Sequence, residues 1–382
     1  MEIYIHIPFC VQKCKYCDFL SAPAEISVQE AYMEALCREL EYRSAEYQDR
    51  VVETVFIGGG TPSVVKAEAI AKVMHILFTR YHIAKDAEIS MEINPATVNS
   101  DTLKVYRKSG INRLSIGLQS TNDRELKNVG RIHNYEQFLE CYKQVAEAGF
   151  QNINVDIMCA LPGQTLESYK NTLERVVGLN PAPEHISAYS LILEDGTPLK
   201  AEYDRGELLL PNEEEERKMY ELTQEFLLEY GYERYEISNY ARPGKECKHN
   251  KGYWERVDYL GFGIGAASKI GNKRFHNTEN REKYIAFPAE SYEDVQELSM
   301  AEEMEETMFL GLRMVEGVSF AKFQRLFGVE MEAVYGEVIK KHIEEGLLKI
   351  TQGGGERYLC LTGKGMDVCN YVMSDFLEPV LF

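Results

Sequence analysis

The sequence predicts an α/β protein, a parallel sheet covered by helices, followed by a smaller and mostly helical domain. Three observations lead there. Short β-rich runs alternate with longer helical patterns up to about residue 195. The alternation then stops in a stretch that carries a charged helix and a glycine-rich run. From about residue 300 the pattern turns helical again and closes on a hairpin signal. Six βα units in series place parallel strands side by side with the helices outside. The pattern fits a doubly wound open sheet and an incomplete barrel equally well.

The strand expectations are EIYIHIP (2–8), TVFIGGG (54–60), AEISMEI (87–93), RLSIGLQ (113–119), NINVDIM (152–158) and HISAYSL (185–191). Between the first two, Tyr32, Leu36 and Leu40 recur at helical spacing on one face. In PNEEEERKMYELTQEFLLEYGY, Asn212 is the expected N-cap, the glutamates favour the positive helix end, and Gly231 ends the helix. The run YLGFGIGAASKIG follows; its Gly261, Gly263 and Gly265 lack the early βαβ placement of a dinucleotide site. GLLKITQGGGERYLCLT reads as a β-hairpin around a glycine triplet. Three helices with that hairpin make a winged-helix-like α+β domain. The expected divisions are 1–195 for the α/β core, 196–299 for a connecting region and 300–382 for the C-terminal domain.

With 382 residues, 45% hydrophobic and 27% charged, the chain reads as soluble and large enough for a substantial core. Its formal charge of −19 argues against coating a phosphate backbone, so no nucleic-acid partner is expected, the winged-helix shape notwithstanding. The start, MEIYIHIPF, has no basic leader region, and no later run is long enough to span a bilayer. A cytoplasmic location is the expectation. Thiols stay reduced there, so clustered cysteines point to metal or redox chemistry rather than disulfides.

Three of nine cysteines, Cys10, Cys14 and Cys17, form C-x3-C-x2-C in the loop 9–19 after the first strand. Three thiolates in one loop suit a [4Fe–4S] cluster with one open iron. Structural zinc, with His6 or a distant cysteine as fourth ligand, is the other reading. In either sheet architecture, chemistry gathers at the C-terminal ends of the strands. There the sequence also places GGGTP after the second strand, Glu92 on the third, Gln119 on the fourth and Asp156 late in the fifth. Singly, each has a plain structural explanation, a turn, a cap or a core contact. Together they suggest one shared site.

With Tyr16 before the last cysteine of the triplet, the pattern resembles the radical S-adenosylmethionine (SAM) superfamily. The resemblance implies a partial (β/α)6 barrel and a cluster whose open iron takes the methionine amino and carboxylate groups of SAM. YIHIPFC, GGGTPS, EINP, RLSIGLQS, VDIMCALPGQT and LGFGIGAASKIG resemble one branch of it, which contains oxygen-independent coproporphyrinogen III dehydrogenase and the HemW-type haem chaperones. By that resemblance Cys10, Cys14 and Cys17 ligate the cluster, and Tyr4, Tyr16, Gly59, Gly60, Thr61, Glu92, Gln119, Arg131 and Asp156 contact the cofactor. The chemistry is compatible. Glycines let backbone N–H groups come close, Glu92 can accept from an ammonium, Arg131 can pair with a carboxylate, and Asp156 or Gln119 suits ribose hydroxyls.

Two departures separate the chain from the dehydrogenases. They carry a further cysteine where this chain has Phe19, and a substantial segment before the first strand, which here begins at residue 2. One feature points to the chaperones: HNKGYW, His249 to Trp254, resembles their HNxxYW motif. His249, Asn250, Tyr253 and Trp254 are therefore the haem-contact candidates, with Cys247 a further possible iron ligand. A structural turn packed on the barrel is the plainer reading of the same residues. The expectation is a haem chaperone that delivers haem to haemoproteins such as membrane-associated respiratory enzymes. The alternative is the coproporphyrinogen dehydrogenase itself.

Overall fold

A computed structural model describes residues 1–377; the last five residues of the expected C-terminal domain lie outside them. Six parallel strands form the centre: β1 (Glu2–Ile7), β2 (Val51–Gly59), β3 (His82–Ile93), β4 (Arg113–Gln119), β5 (Asn152–Cys159) and β6 (His185–Ser190). All six expected runs are strands. β3 starts earlier than the pattern suggests, because His82 and Ile83 pair with Val51 and Val52 ahead of a register shift.

The alternation within the strands explains both surfaces of the sheet. Ile3, Ile5, Val55, Ile57, Ile89, Met91, Leu114, Ile116, Ile153, Val155 and Ile186 are buried in one continuous core. The helices α1 (Ile26–Arg43), α2 (Ala67–Arg80), α3 (Ser100–Lys108), α4 (Asp123–Asn128), α5 (Tyr135–Glu147) and α6 (Leu166–Val177) follow the successive strands, and Leu36, Leu40, Ile70, Leu77, Leu103, Phe138 and Leu173 fill the same core from them. The intervening strand residues, Glu2, Tyr4, Thr54, Phe56, Glu88, Glu92, Ser115, Asn154, Asp156, His185 and Tyr189, are mostly polar. They meet one another on the inner face, and residues from β2 to β6 line one cavity together with the loop after β1. The sheet is thus curled into the partial barrel expected from the family resemblance. Capping boxes at Asn99, Asn134 and Thr165 start α3, α5 and α6.

The region 196–299 is built into the same sheet. After α7 (Pro198–Asp204) and α8 (Glu213–Glu229), the strands β7 (Glu233–Arg234) and β8 (Asn239–Ala241) extend the β6 edge. Asn212 opens α8 with a capping box, as its sequence predicts. The helix α9 (Lys248–Trp254) comes next. The glycine-rich run then supplies β9 (Tyr259–Phe262), parallel to β1, followed by the antiparallel β10 (Ala267–Ile270), β11 (Lys273–Asn277) and, after α10 (Arg281–Ala286), β12 (Tyr292–Glu297). The sheet therefore has twelve strands in the order β12-β11-β10-β9-β1-β2-β3-β4-β5-β6-β8-β7. Gly261 admits this packing, since a Cβ there would run into the Ala267 carbonyl.

The C-terminal domain has its own core around Met308, Phe323, Tyr335, Leu359 and Val372. The helix α11 (Met300–Gly311) leads into β13 (Val318–Ser319), α12 (Phe320–Phe327) and α13 (Met331–Glu344). The hairpin of β14 (Leu348–Gly353) and β15 (Glu356–Leu361) is the wing, and α14 (Gly363–Asp367) and α15 (Cys369–Ser374) follow. Gly354 and Gly355 form its two-residue turn with φ of 58° and 86°, a left-handed pair that glycine adopts without strain. No helix among the described residues is long and apolar enough to cross a membrane.

Candidate functional site

The cysteine loop lies across the C-terminal mouth of the barrel. Its start is tied by Cys10 N–H to the Ala22 carbonyl at 3.3 Å and by Ala22 N–H to Pro8 at 3.0 Å. Its middle is held by Lys15 N–H on the Val129 carbonyl at 3.1 Å. Cys10, Cys14 and Cys17 line the mouth cavity with Tyr16, Gly59, Gly60, Thr61, Glu92, Gln119, Arg131 and Asp156. Every sequence-predicted residue of this site except Tyr4 is on that wall. Tyr4 lies below it, with its hydroxyl 3.0 Å from His6 Nδ1.

The glycines are there for close approach. A Cβ on Gly60 would press on the Phe9 backbone, and one on Gly59, whose φ is 112°, would strike the His6 ring. Glu92 Oε2 accepts from Gly59 N–H at 3.1 Å. Burial, with the Asp156 charge adding to it, pushes the Glu92 carboxyl up to about 8. An ammonium group seated beside it would relieve that penalty. Burial also raises Asp156, opposed by donors from Ser187, Asn154 and Ser115; Asn154 Nδ2 stands 2.6 Å away. Arg131 donates to Cys14 Sγ at 3.6 Å and to the Gly117 carbonyl. Its Nε is buried without a partner, an unspent donor at the cavity wall. Thr61 Oγ1 lies 3.7 Å from Cys10 Sγ.

Tyr189 was not foreseen. Its hydroxyl donates to Gln119 Oε1 at 3.2 Å and its ring lines the cavity. The signal was available in β6, where His185, Ser187 and Tyr189 alternate with residues of the outer face. Gln119 reaches inward from a left-handed backbone, φ 72°, where the β4–β5 register shifts.

His6, the sequence candidate for a fourth zinc ligand, has Nδ1 against Tyr4 and Nε2 against the Leu20 carbonyl at 2.9 Å. Among the described residues, no three His, Cys, Asp or Glu side chains converge on a position for a single metal ion. A cubane holds its thiolates farther apart than one ion does, and three half-buried thiols around an open cavity suit the larger group. With the carboxylate pair, the glycine cradle and the unspent Arg131 donor, the residues present fit a cluster and a zwitterionic sulfonium ligand. The bound group would supply one-electron reduction; the chain's part is to bind, orient and exclude water.

The HNKGYW residues are at the other end of the barrel. They form α9, which plugs the opening between the N-terminal ends of the strands. Glu88 accepts from Lys248 N–H at 3.2 Å and His249 N–H at 3.4 Å. His249 is 1% exposed. Its Nδ1 lies 2.7 Å from Thr54 Oγ1 and its Nε2 3.3 Å from the Tyr253 hydroxyl. The ring stacks on Phe56 at 5.2 Å. Gly252 lets α9 sit this deep, because any Cβ there would fall inside the Glu2 carboxylate. Cys247 is also fully buried, with its Sγ 3.4 Å from Glu88. In this geometry the haem-contact candidates His249 and Cys247 are interior side chains with their polar atoms engaged. Asn250 and Tyr253 are half-buried on the same helix. Trp254, at its end, borders a separate cavity against the C-terminal domain.

A hydrogen-bonded path joins the two ends. Asp156 binds Asn154, Asn154 Oδ1 binds His185 Nδ1 at 2.6 Å, and His185 Nε2 meets the Tyr235 hydroxyl at 2.8 Å. Tyr235 in turn accepts from Cys247 N–H at 3.4 Å, one residue before α9.

The model of the radical SAM superfamily matches residues 4–176, and that of the HemN C-terminal domain matches residues 298–368. The chain is 36% identical to the heme chaperone HemW of Lactococcus lactis, over 98% of this chain and 96% of that one. The heme chaperone HemW of Bacillus subtilis is also 36% identical, over 98% of both chains. The chain belongs to the HemW family of radical SAM proteins. The Escherichia coli HemW protein is 39% identical over 71% of this chain and 70% of its own. Among solved structures, coproporphyrinogen III oxidase (HemN) of E. coli superposes with a TM-score of 0.84, covering 98% of this chain and 89% of that one. At 24% identity that likeness shows the fold alone. It bears out the radical SAM core with its C-terminal domain. Membership in the HemW family implies a [4Fe–4S] cluster and SAM for a site of this kind.

Proposed function

We propose that this protein is a haem chaperone that binds haem and hands it to haemoproteins, with a [4Fe–4S] cluster on Cys10, Cys14 and Cys17 and SAM beside it. The observation that carries the reading is the 36% identity to two heme chaperones over nearly the whole of each chain. In the site, Glu92 takes the ammonium of SAM, Arg131 its carboxylate, and Asp156 and Gln119 its ribose. Phe19 supports a carrier. It stands where the resembled dehydrogenases have a further cysteine, and it is 64% exposed on the rim of the cofactor cavity. Membrane-associated respiratory enzymes are the proposed recipients, and the cytoplasm the proposed location.

The test is an anaerobic haem titration of the cluster-reconstituted protein, followed by absorbance. A saturable one-to-one complex is expected. Absence of binding by protein with a verified cluster would end the proposal. Incubation with coproporphyrinogen III, SAM and a reductant distinguishes the enzyme: sustained formation of protoporphyrinogen would assign the chain to haem synthesis instead.

A further inference from the structure

On the inner face of the barrel Asn154 pairs with Ser115 of β4 on one side and with His185 of β6 on the other. Asp156 stands two residues further along the same strand, on the same face, and lines the cofactor cavity. The four side chains are joined. Asn154 Nδ2 donates to Asp156 Oδ1 at 2.6 Å and to Ser115 Oγ at 2.7 Å. Asn154 Oδ1 lies 2.6 Å from His185 Nδ1.

The protons in this network run one way. A carboxylate only accepts, so Asp156 turns the Asn154 amide nitrogen toward itself and leaves the amide oxygen facing β6. His185 must then carry its proton on Nδ1. Burial, with the Arg113 guanidinium adding to it, holds His185 well below the usual histidine value, so the ring is neutral and Nε2 is an acceptor. The Tyr235 hydroxyl donates to that nitrogen at 2.8 Å, and its oxygen accepts from Cys247 N–H at 3.4 Å. Every donor from the start of α9 to β5 therefore points toward Asp156. Asn154 is 2% exposed and His185 0%, so turning one group over would set two buried acceptors or two buried donors face to face, with no water to relieve them.

We propose that Asn154 and His185 are positioning residues of the cofactor site: Asn154 aims Asp156 at the ribose hydroxyls of SAM, and His185, kept in its Nδ1–H tautomer by Tyr235, stops the Asn154 amide from turning over. This rests on the assignment of Asp156 to the SAM ribose made above. A turned amide would bring its carbonyl oxygen against the carboxylate, which would then swing away or take up a proton. In either state Asp156 accepts less well from the ribose.

The test measures equilibrium binding of SAM to the full-length, cluster-loaded protein and to His185→Leu, His185→Asn and Tyr235→Phe. Each titration is repeated with the 2′,3′-dideoxyribose analogue of SAM. His185→Leu removes the donor and is expected to bind SAM roughly tenfold more weakly. His185→Asn is expected to recover most of that loss, because its amide nitrogen stands near the place of the imidazole Nδ1. The analogue has no hydroxyl to offer Asp156 and is expected to bind all four proteins alike. The cluster spectrum and the urea midpoint report whether a variant is folded. If His185→Leu is not, Tyr235→Phe decides, with an expected loss of roughly threefold for SAM and none for the analogue. Equal SAM affinities across the series, equal losses for both ligands, or an Asn variant as weak as the Leu variant overturn the inference and leave the SAM site standing. A wild type that binds SAM no better than the analogue takes Asp156 away from the ribose, and the inference with it. A wild type that binds neither ligand overturns the SAM reading itself.

Discussion

The Tyr235 hydroxyl meets His185 Nε2 at 2.8 Å inside the barrel. His185 spends its other nitrogen on Asn154, the partner of Asp156. Tyr235 also receives the backbone at the start of α9. This pair therefore stands midway between the cofactor mouth and the helix that closes the far end. Removing the hydroxyl leaves a fully buried imidazole nitrogen unpaired. Tyr235→Phe is expected to cost about 1–3 kcal/mol, read from urea unfolding. An unchanged midpoint would mean that the bond contributes nothing net.

His249 gives a pH signature. Burial, with the Arg113 guanidinium adding to it, pushes this imidazole down to about 3, against about 6.5 in an unfolded chain. The unfolded state takes up a proton that the folded state refuses. The stability tied to the neutral ring is fully present above about 6.5 and is lost as pH falls toward 3, at about 1.4 kcal/mol per unit. His133, pushed down to about 3 for the same first reason, adds to the loss in that window. Glu2 works oppositely: raised to about 8 by burial, it contributes stability below about 4.5 that fades as pH rises through 8. Unfolding at pH 7, 6 and 5 should show a slope in His249→Gln shallower by about one proton. Equal slopes would contradict the assignment of this proton to His249.

Cys10→Ala is expected to abolish the [4Fe–4S] spectrum and leave the chain folded. The cysteine is half-buried in a mouth loop, and the core beneath it is independent of the cluster. A full cluster spectrum from this variant would refute the ligand set.

Glu92→Gln keeps the shape of the pocket and the contact with Gly59. It removes the charge proposed to meet the ammonium of SAM. A hydrogen bond to a charged group is worth about 1.5–3 kcal/mol, so SAM affinity should fall by roughly tenfold to a hundredfold. The cluster spectrum should not change. Equilibrium SAM binding by calorimetry checks both; undiminished affinity would remove Glu92 from the site.

Much of this was legible locally. The polar inner positions of β1 to β6, the Asn212 cap and the Gly354–Gly355 turn depend on neighbours a few residues away, and the sequence carries such signals directly. Pairing of β9 with β1 joins Tyr259 to Glu2, and no local pattern announces a contact of that span. The location of α9 was hidden for the same reason. It follows from Glu88 holding its backbone and Gly252 clearing Glu2, two contacts with distant strands. HNKGYW names its residues without saying which end of the barrel they close. The cofactor mouth was legible because strand ends converge there in any curled parallel sheet.

The most direct test of the carrier function is handover. Haem-loaded, cluster-intact protein is mixed with the apo form of a membrane b-type cytochrome while an excess of a free-haem scavenger is present, and the cytochrome spectrum is followed. A haem chaperone fills the cytochrome despite the scavenger, because haem passes within a complex of the two proteins. Capture of all the haem by the scavenger, with the cytochrome left empty, would contradict delivery.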